Sequence, residues 1–236
     1  MTRPLLSVRD LAVQVRGRLV FRGVSFDVRA GQTLGVAGAN GAGKSLLLRA
    51  LAGSVNPSEG SARIDGRVPR EALSRTPTAY FAGETTLPGF ARAASWGTLG
   101  TGQPLTTERR RIRALPRCSR QLLGLRTELG RHPLSLILLD EPWDGLDPDG
   151  VRWLNATLET KRDRGAGILL STRRLEELAG LCDKYLFLTP AAPFLFRAQD
   201  IEEDGRITPA RLHEVFDMVR NEPAATIAWP RRALPP

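Results

Sequence analysis

The run Gly38-Ala39-Asn40-Gly41-Ala42-Gly43-Lys44-Ser45 puts an ammonium and a hydroxyl directly behind a glycine-rich turn. Glycines keep side chains off such a loop, so successive backbone N–H groups can converge on a polyphosphate. Lys44 then reaches the β- and γ-phosphates and the Ser45 hydroxyl a Mg²⁺ ion, while a helix opening here adds partial positive charge. Gly38, Asn40, Gly41, Ala42, Gly43, Lys44, Ser45 and Leu46 are therefore the candidate nucleotide contacts. A second cluster, Asp140-Glu141, ends the apolar run Leu134 to Leu139. A carboxylate at the end of a buried strand beside a phosphate loop can hold Mg²⁺, which makes Asp140 the second candidate metal residue. Its neighbour Glu141 then points to the γ-phosphate side, where a carboxylate orients and polarises an attacking water. Glu141 and Lys44 are the candidate catalytic residues.

These side chains need a strand–loop–helix unit to hold them. Thr33 to Val36 leads into the loop as a strand, after a tight turn at Ala30-Gly31-Gln32, and Leu46 to Leu51 leads out as a helix. Upstream, Leu6 to Val15 and Val24 to Val28 read as strands; downstream, Ser61 to Ile64 and Thr78 to Ala82 do so. Residues 120–131 and 149–164 read as helices, and Leu134 to Leu139 and Ile168 to Ser171 as buried strands. This alternation predicts an α/β fold with a mostly parallel sheet. From Thr85 to Arg113 the texture changes to Gly, Thr, Ala and Arg with little periodicity, which suggests a small inserted subdomain.

Composition sets bounds on the rest. With 236 residues and 42% apolar content the chain can bury a sizeable core, and no window reaches the roughly 18 apolar residues of a membrane span. No basic stretch followed by an apolar one opens the sequence, so no secretory signal is read there. Cys118 and Cys182 form no metal or redox spacing, which fits a reducing cytoplasm. His132 and His213 are isolated and read as surface residues. The net charge is +9, and lysine occurs only at Lys44, Lys161 and Lys184. The arginine clusters at 109–111, 173–174 and 231–232 are short and lack interleaved aromatics, so no nucleic acid partner is expected.

Taken together, several segments are similar in order and spacing to the nucleotide-binding subunit of ABC transporters. They are Val24-Ser25-Phe26, the phosphate loop, Leu139-Asp140-Glu141-Pro142, Gly145-Leu146-Asp147-Pro148, Leu169 to Thr172, Leu175-Glu176-Glu177 and Leu181-Cys182-Asp183. The likeness covers residues 5 to 190. It implies a P-loop NTPase core of α/β class with an N-terminal antiparallel β-subdomain and a shortened helical subdomain. It also implies ATP and Mg²⁺ as ligands, an integral membrane transporter subunit as partner, and a peripheral position on the cytoplasmic face of the membrane. In this family two ATPase subunits pair head to tail, and each ATP lies between the phosphate loop of one and a signature segment of the other.

Several positions depart from the family pattern. The signature position falls on Leu115-Pro116-Arg117-Cys118-Ser119, followed by Arg120-Gln121. Pro116 has no N–H to offer a phosphate, and Arg117 fills space that glycine would leave open. The switch histidine is Arg173, which is permanently charged; a fixed clamp on the γ-phosphate and a solvated surface arginine are both open readings. The expected glutamine after Thr78 to Ala82 is Gly83, with Glu84 beside it. No aromatic lies near Val15, where adenine should stack, a loss of about 1–3 kcal/mol in affinity on base-stacking values. The asymmetry suggests a second ATPase subunit, more as a heterodimer partner than as a copy. The alternative is a nucleotide-binding regulatory or structural subunit with negligible hydrolysis. Phe90 and Trp96 suit either a docking face or a local core, and Trp143 stands where a small residue is usual.

The expected organisation is a single ATP-binding domain over 1–220, with the inserted subdomain at about 84–132 and a flexible tail at 221–236. Asp200 to Ile207 resembles the start of a calcium loop, but Arg211 occupies the twelfth position where a bidentate Glu is needed. Thr208-Pro209 opens a helix with the apolar stripe Leu212, Val215, Phe216 and Val219.

Overall fold

A computed structural model describes residues 3–83, 87–96, 106, 108–131, 133–189 and 192–221. Its centre is a six-stranded sheet in the order β5 (Thr78–Phe81), β6 (Leu136–Asp140), β7 (Gly167–Thr172), β3 (Thr33–Gly38), β8 (Lys184–Leu188) and β9 (Pro193–Arg197). All neighbours pair in parallel except β8 and β9. Every residue of β3, β6 and β7 is buried, because strands covered on both faces read as unbroken apolar runs. β1 (Leu6–Val15), β2 (Arg18–Val28) and β4 (Glu59–Ile64) form a separate antiparallel sheet in the order β2-β1-β4.

Alternation along the central strands sends side chains to two cores. Leu34, Val36, Leu138 and Leu169 pack with α1 (Lys44–Leu51) and with Val8, Leu11 and Phe26 of the antiparallel sheet. Ala37, Ile137, Leu139, Ile168 and Leu170 face the other way. They meet Leu125 and Leu129 of the helix Arg117–Leu129, Leu154 and Leu158 of Pro148–Asp163, and Leu212, Val215 and Val219 of Pro209–Asn221. These helices are α3, α4 and α6; α2 (Pro69–Ala72) and α5 (Ala198–Ile201) are single turns. Among the described residues no helix is long and apolar enough to cross a membrane.

Most elements fall where the sequence puts them. β2 begins at Arg18 rather than Val24, and β4 at Glu59 rather than Ser61, since both ends are held by pairing to β1. β8 and β9 extend the sheet past the elements read from the sequence. The C-terminal helix forms as its stripe predicts. The Asp200 to Ile207 segment makes a helical turn and a tight Glu203–Arg206 bridge. His213 is exposed beside Glu176. His132, Glu84 and tail residues 222–236 lie outside the described residues, as does part of the expected insert.

Candidate functional site

The carboxyl ends of three parallel strands meet at one level. Ala37 of β3 pairs with Thr172 of β7, and Ser171 of β7 pairs with Asp140 of β6. Loops leaving such strand ends create the crevice in which open α/β sheets bind ligands. The glycine-rich loop leaves β3 here and enters α1 through Gly43, at φ 98°. A Cβ at Gly43 would lie 2.6 Å from Phe21 Cδ1 and 2.9 Å from Val20 Cγ1, so only glycine lets β2 close against the loop. No side chain caps α1 and no acid stands in its first turn, which leaves its N–H groups for an anion.

Lys44 is buried, and its Nζ donates to the carbonyls of Gly38 at 2.8 Å and Ala39 at 3.3 Å. Burial pushes the ammonium pKa down, while Glu141 and Asp140 pull it back up. Such a cation is incompletely neutralised by its own chain. Above it opens a cavity of about 400 Å³, lined by Asn40, Gly41, Gly43, Lys44, Ser45 and Leu46 of the loop. Glu141, Asp144 and Arg173 complete the lining from the strand ends. Gly38 and Ala42, also expected as nucleotide contacts, are not among its lining residues; Ala42 N–H donates to the Ala39 carbonyl at 3.1 Å.

Asp140 is buried at the end of β6, and the Ser171 hydroxyl donates to its Oδ1. That bond fixes the carboxylate and leaves its other oxygen for a second partner. Among the described residues no group of three or more His, Cys, Asp or Glu could hold a metal. A Mg²⁺ ion needs no such group, because it binds through one or two carboxylates plus phosphates and water. Ser45 and Asp140 fit that donor set.

Glu141 follows with φ 47°, a left-handed conformation that costs a non-glycine residue roughly 1–2 kcal/mol. Its Oε1 lies 3.9 Å from Lys44 Nζ, and its Oε2 accepts from the Arg173 N–H at 3.2 Å. Burial is the largest influence on this carboxyl and raises its pKa; the Arg173 N–H and the Lys44 charge oppose the rise. The turn is braced from α3, where buried Gln121 Nε2 donates to the carbonyls of Pro142 at 3.1 Å and Glu141 at 3.3 Å. Trp143 is also buried, and its Nε1 donates to Asn155 Oδ1 of α4 at 2.9 Å. It is a core residue that ties the turn to the next helix. Asp147 then caps α4 by accepting from Gly150 N–H at 2.7 Å, ahead of Pro148 in the first turn.

Arg173 enters the site after β7. Its Nε lies 3.9 Å from Glu141 Oε2 and its Nη2 3.7 Å from Asp144 Oδ2. Arg117, the first residue of α3, donates from Nη2 to the same Asp144 oxygen at 2.5 Å. Asp144 and Gln121 are site residues that sequence reasoning missed; a third carboxylate three residues past Glu141 was the available signal for Asp144. Near the expected adenine position, Val15 and Leu19 are both 41% exposed at the end of the β1–β2 hairpin. Phe90 is 77% exposed, whereas Trp96 packs beside Ala93, Ile112, Leu115 and Leu123.

Comparison with known proteins agrees with this geometry. The family model described as "ABC transporter" matches residues 21–144, just over half of the chain. A hemin import ATP-binding protein, HmuV, of Pseudomonas entomophila is 32% identical over 243 residues, spanning 90% of this chain and 92% of that protein. A lantibiotic transport ATP-binding protein, SrtF, of Streptococcus pyogenes is 26% identical over 215 residues, covering 85% and 93% respectively. Among solved structures, an ATP-binding subunit of an ABC transporter superposes with a TM-score of 0.75 at 23% identity. It covers 90% of this chain and 99% of that one, which shows a shared fold.

Proposed function

The chain belongs to the ABC transporter family, and from that premise we propose that it is the ATP-binding subunit working with a separate membrane subunit. The cavity over Lys44 carries this reading. It combines open helix N–H groups, a buried ammonium, a hydroxyl and a carboxylate within a volume that suits a polyphosphate. On binding ATP, Lys44 exchanges the Gly38 and Ala39 carbonyls for phosphate oxygens. Ser45 and Asp140 would hold Mg²⁺, which would neutralise charge on the phosphates. Glu141 orients a water and accepts its proton, a role suited to a carboxyl whose proton affinity burial has raised.

We also propose that the composite site built on this chain's phosphate loop takes its signature segment from a different, competent ATPase subunit. Pro116 caps α3 with no N–H, and Arg117 is engaged with Asp144 in its own chain. Both observations support an α3 start that offers little to the phosphate of a partner. Exposed Phe90 would serve as an apolar contact for the membrane subunit. The organisation proposed is one ATP-binding domain over 1–220, with its insert at about 84–132. That domain works at the cytoplasmic face of the membrane.

The reading is tested by titrating the purified chain with ATP and Mg²⁺, beside Lys44→Ala. Saturable binding lost in the variant supports it, and equal binding by both proteins refutes it. Co-expression with a membrane subunit and a second ATPase subunit then reads transport-linked hydrolysis.

A further inference from the structure

Glu177 carries a carboxylate only 11% exposed that the proposed chemistry leaves unused. It ends the short helical turn Leu175–Glu177, which Leu175 and Leu178 anchor in the same core as Leu212 and Val215. Its Oε2 accepts from the Thr172 hydroxyl at 2.6 Å, and its Oε1 lies 3.3 Å from Arg174 Nη1. Thr172 is the last residue of β7 and is fully buried. A hydroxyl has one proton to give, and here Glu177 takes it. A lone pair of Thr172 Oγ1 is then left for the chain ahead, where the Arg174 N–H donates to it at 3.0 Å. A hydroxyl that accepts from the backbone two residues on makes a turn and fixes the residue in between. That residue is Arg173.

The main-chain N–H of Arg173 donates to Glu141 Oε2 at 3.2 Å, and among the described residues this is the one hydrogen bond that the Glu141 carboxylate accepts. Lys44 Nζ and Arg173 Nε each stand 3.9 Å from it, outside hydrogen-bond length. Glu141 itself sits at φ 47°, a conformation that persists only where the surroundings over-determine it. We propose that Thr172 and Glu177 are positioning residues for Glu141: their hydrogen bond sets the turn after β7, and the backbone N–H of that turn holds the carboxylate in the cavity over Lys44. A main-chain donor suits this task because the fold fixes it and the arginine side chain is free to move without releasing it. The proposal rests on the reading that Glu141 is the base, while the turn itself needs no nucleotide.

The test is amide hydrogen exchange, read by NMR on the full chain without nucleotide, with Mg-ATP affinity measured beside it by calorimetry. Glu141→Ala is expected to speed exchange at the Arg173 amide about tenfold, the size of one hydrogen bond, and to leave the Arg174 amide unchanged. Thr172→Val keeps the side-chain shape without the hydroxyl and should speed both amides about tenfold. Thr172→Ser restores the hydroxyl and should return both to wild-type rates, which a packing role for the threonine methyl would not do. Glu177→Leu reads the same bond from its other end, and a thermal melt checks that each variant folds. Neither Thr172 nor Glu177 lines the cavity, so Mg-ATP affinity should hold in Thr172→Val and Glu177→Leu. An Arg173 amide unmoved by Glu141→Ala, a Thr172→Val effect confined to Arg174, or no return in Thr172→Ser would each overturn the proposal. A wild-type chain that shows these exchange patterns yet binds no Mg-ATP would overturn the functional reading and leave the turn standing.

Discussion

Lys44 Nζ lies 3.9 Å from Glu141 Oε1, so the phosphate-loop ammonium and the candidate base share one cavity without a hydrogen bond between them. Lys44 instead spends its hydrogen bonds on the Gly38 and Ala39 carbonyls. A phosphate oxygen is the stronger acceptor. Lys44→Ala should therefore lower ATP affinity by one to two orders of magnitude, about 1.5–3 kcal/mol for a hydrogen bond to a charged group. Calorimetry against Mg-ATP measures it.

Glu141 is placed at a cost to stability. Its folded-state pKa is raised above the ordinary 4.5, so its favourable contribution is complete only below that value and is lost as pH rises through the folded pKa. Glu141→Gln imitates the protonated form at every pH. The variant should melt higher than wild type at pH 8, and the difference should vanish below pH 4.5. A thermal melt across that range checks both ends.

Gly43→Ala tests how closely β2 packs on the loop. The new methyl would meet Phe21 Cδ1 at 2.6 Å in a backbone held at φ 98°. Overpacking of this kind costs about 1–3 kcal/mol. Urea denaturation should show that loss, together with weakened ATP binding.

Gln121 and Trp143 hold the turn that carries Glu141. Gln121→Leu takes the side-chain donor from the Pro142 carbonyl and leaves the Glu141 carbonyl with the Asp144 N–H alone, a cost of about 1–3 kcal/mol. Trp143→Ala should cost about 3–5 kcal/mol as a core truncation, and Trp143→Phe distinctly less because the ring remains. Denaturant midpoints rank the three variants.

The phosphate loop and the Asp140-Glu141 pair were legible because their chemistry is local: a fixed spacing of glycines and Lys44, and acids ending an apolar run. The central strands were legible because burial on both faces demands continuous apolar residues, as in Leu136 to Leu139. β8 and β9 were not. A five-residue run such as Lys184 to Leu188 suits a strand or one face of a helix equally, and Pro193 fits β9 only as the first residue of an edge strand, a position that no local pattern reveals. The Arg117–Asp144 pair spans 27 residues and depends on α3 lying against the turn after β6, which no local pattern encodes. Trp143 was opaque for the same reason, since its partner Asn155 belongs to the next helix.

We propose that this chain binds ATP over Lys44 and needs a competent partner to turn it over. Steady-state ATP hydrolysis by the purified chain alone, beside Glu141→Gln and with binding measured in parallel, tests it most directly. The account predicts that both proteins bind ATP and that both show only background turnover. Rapid turnover by the wild-type chain, abolished in Glu141→Gln, would contradict it, because the chain would then complete a working site with a second copy of itself.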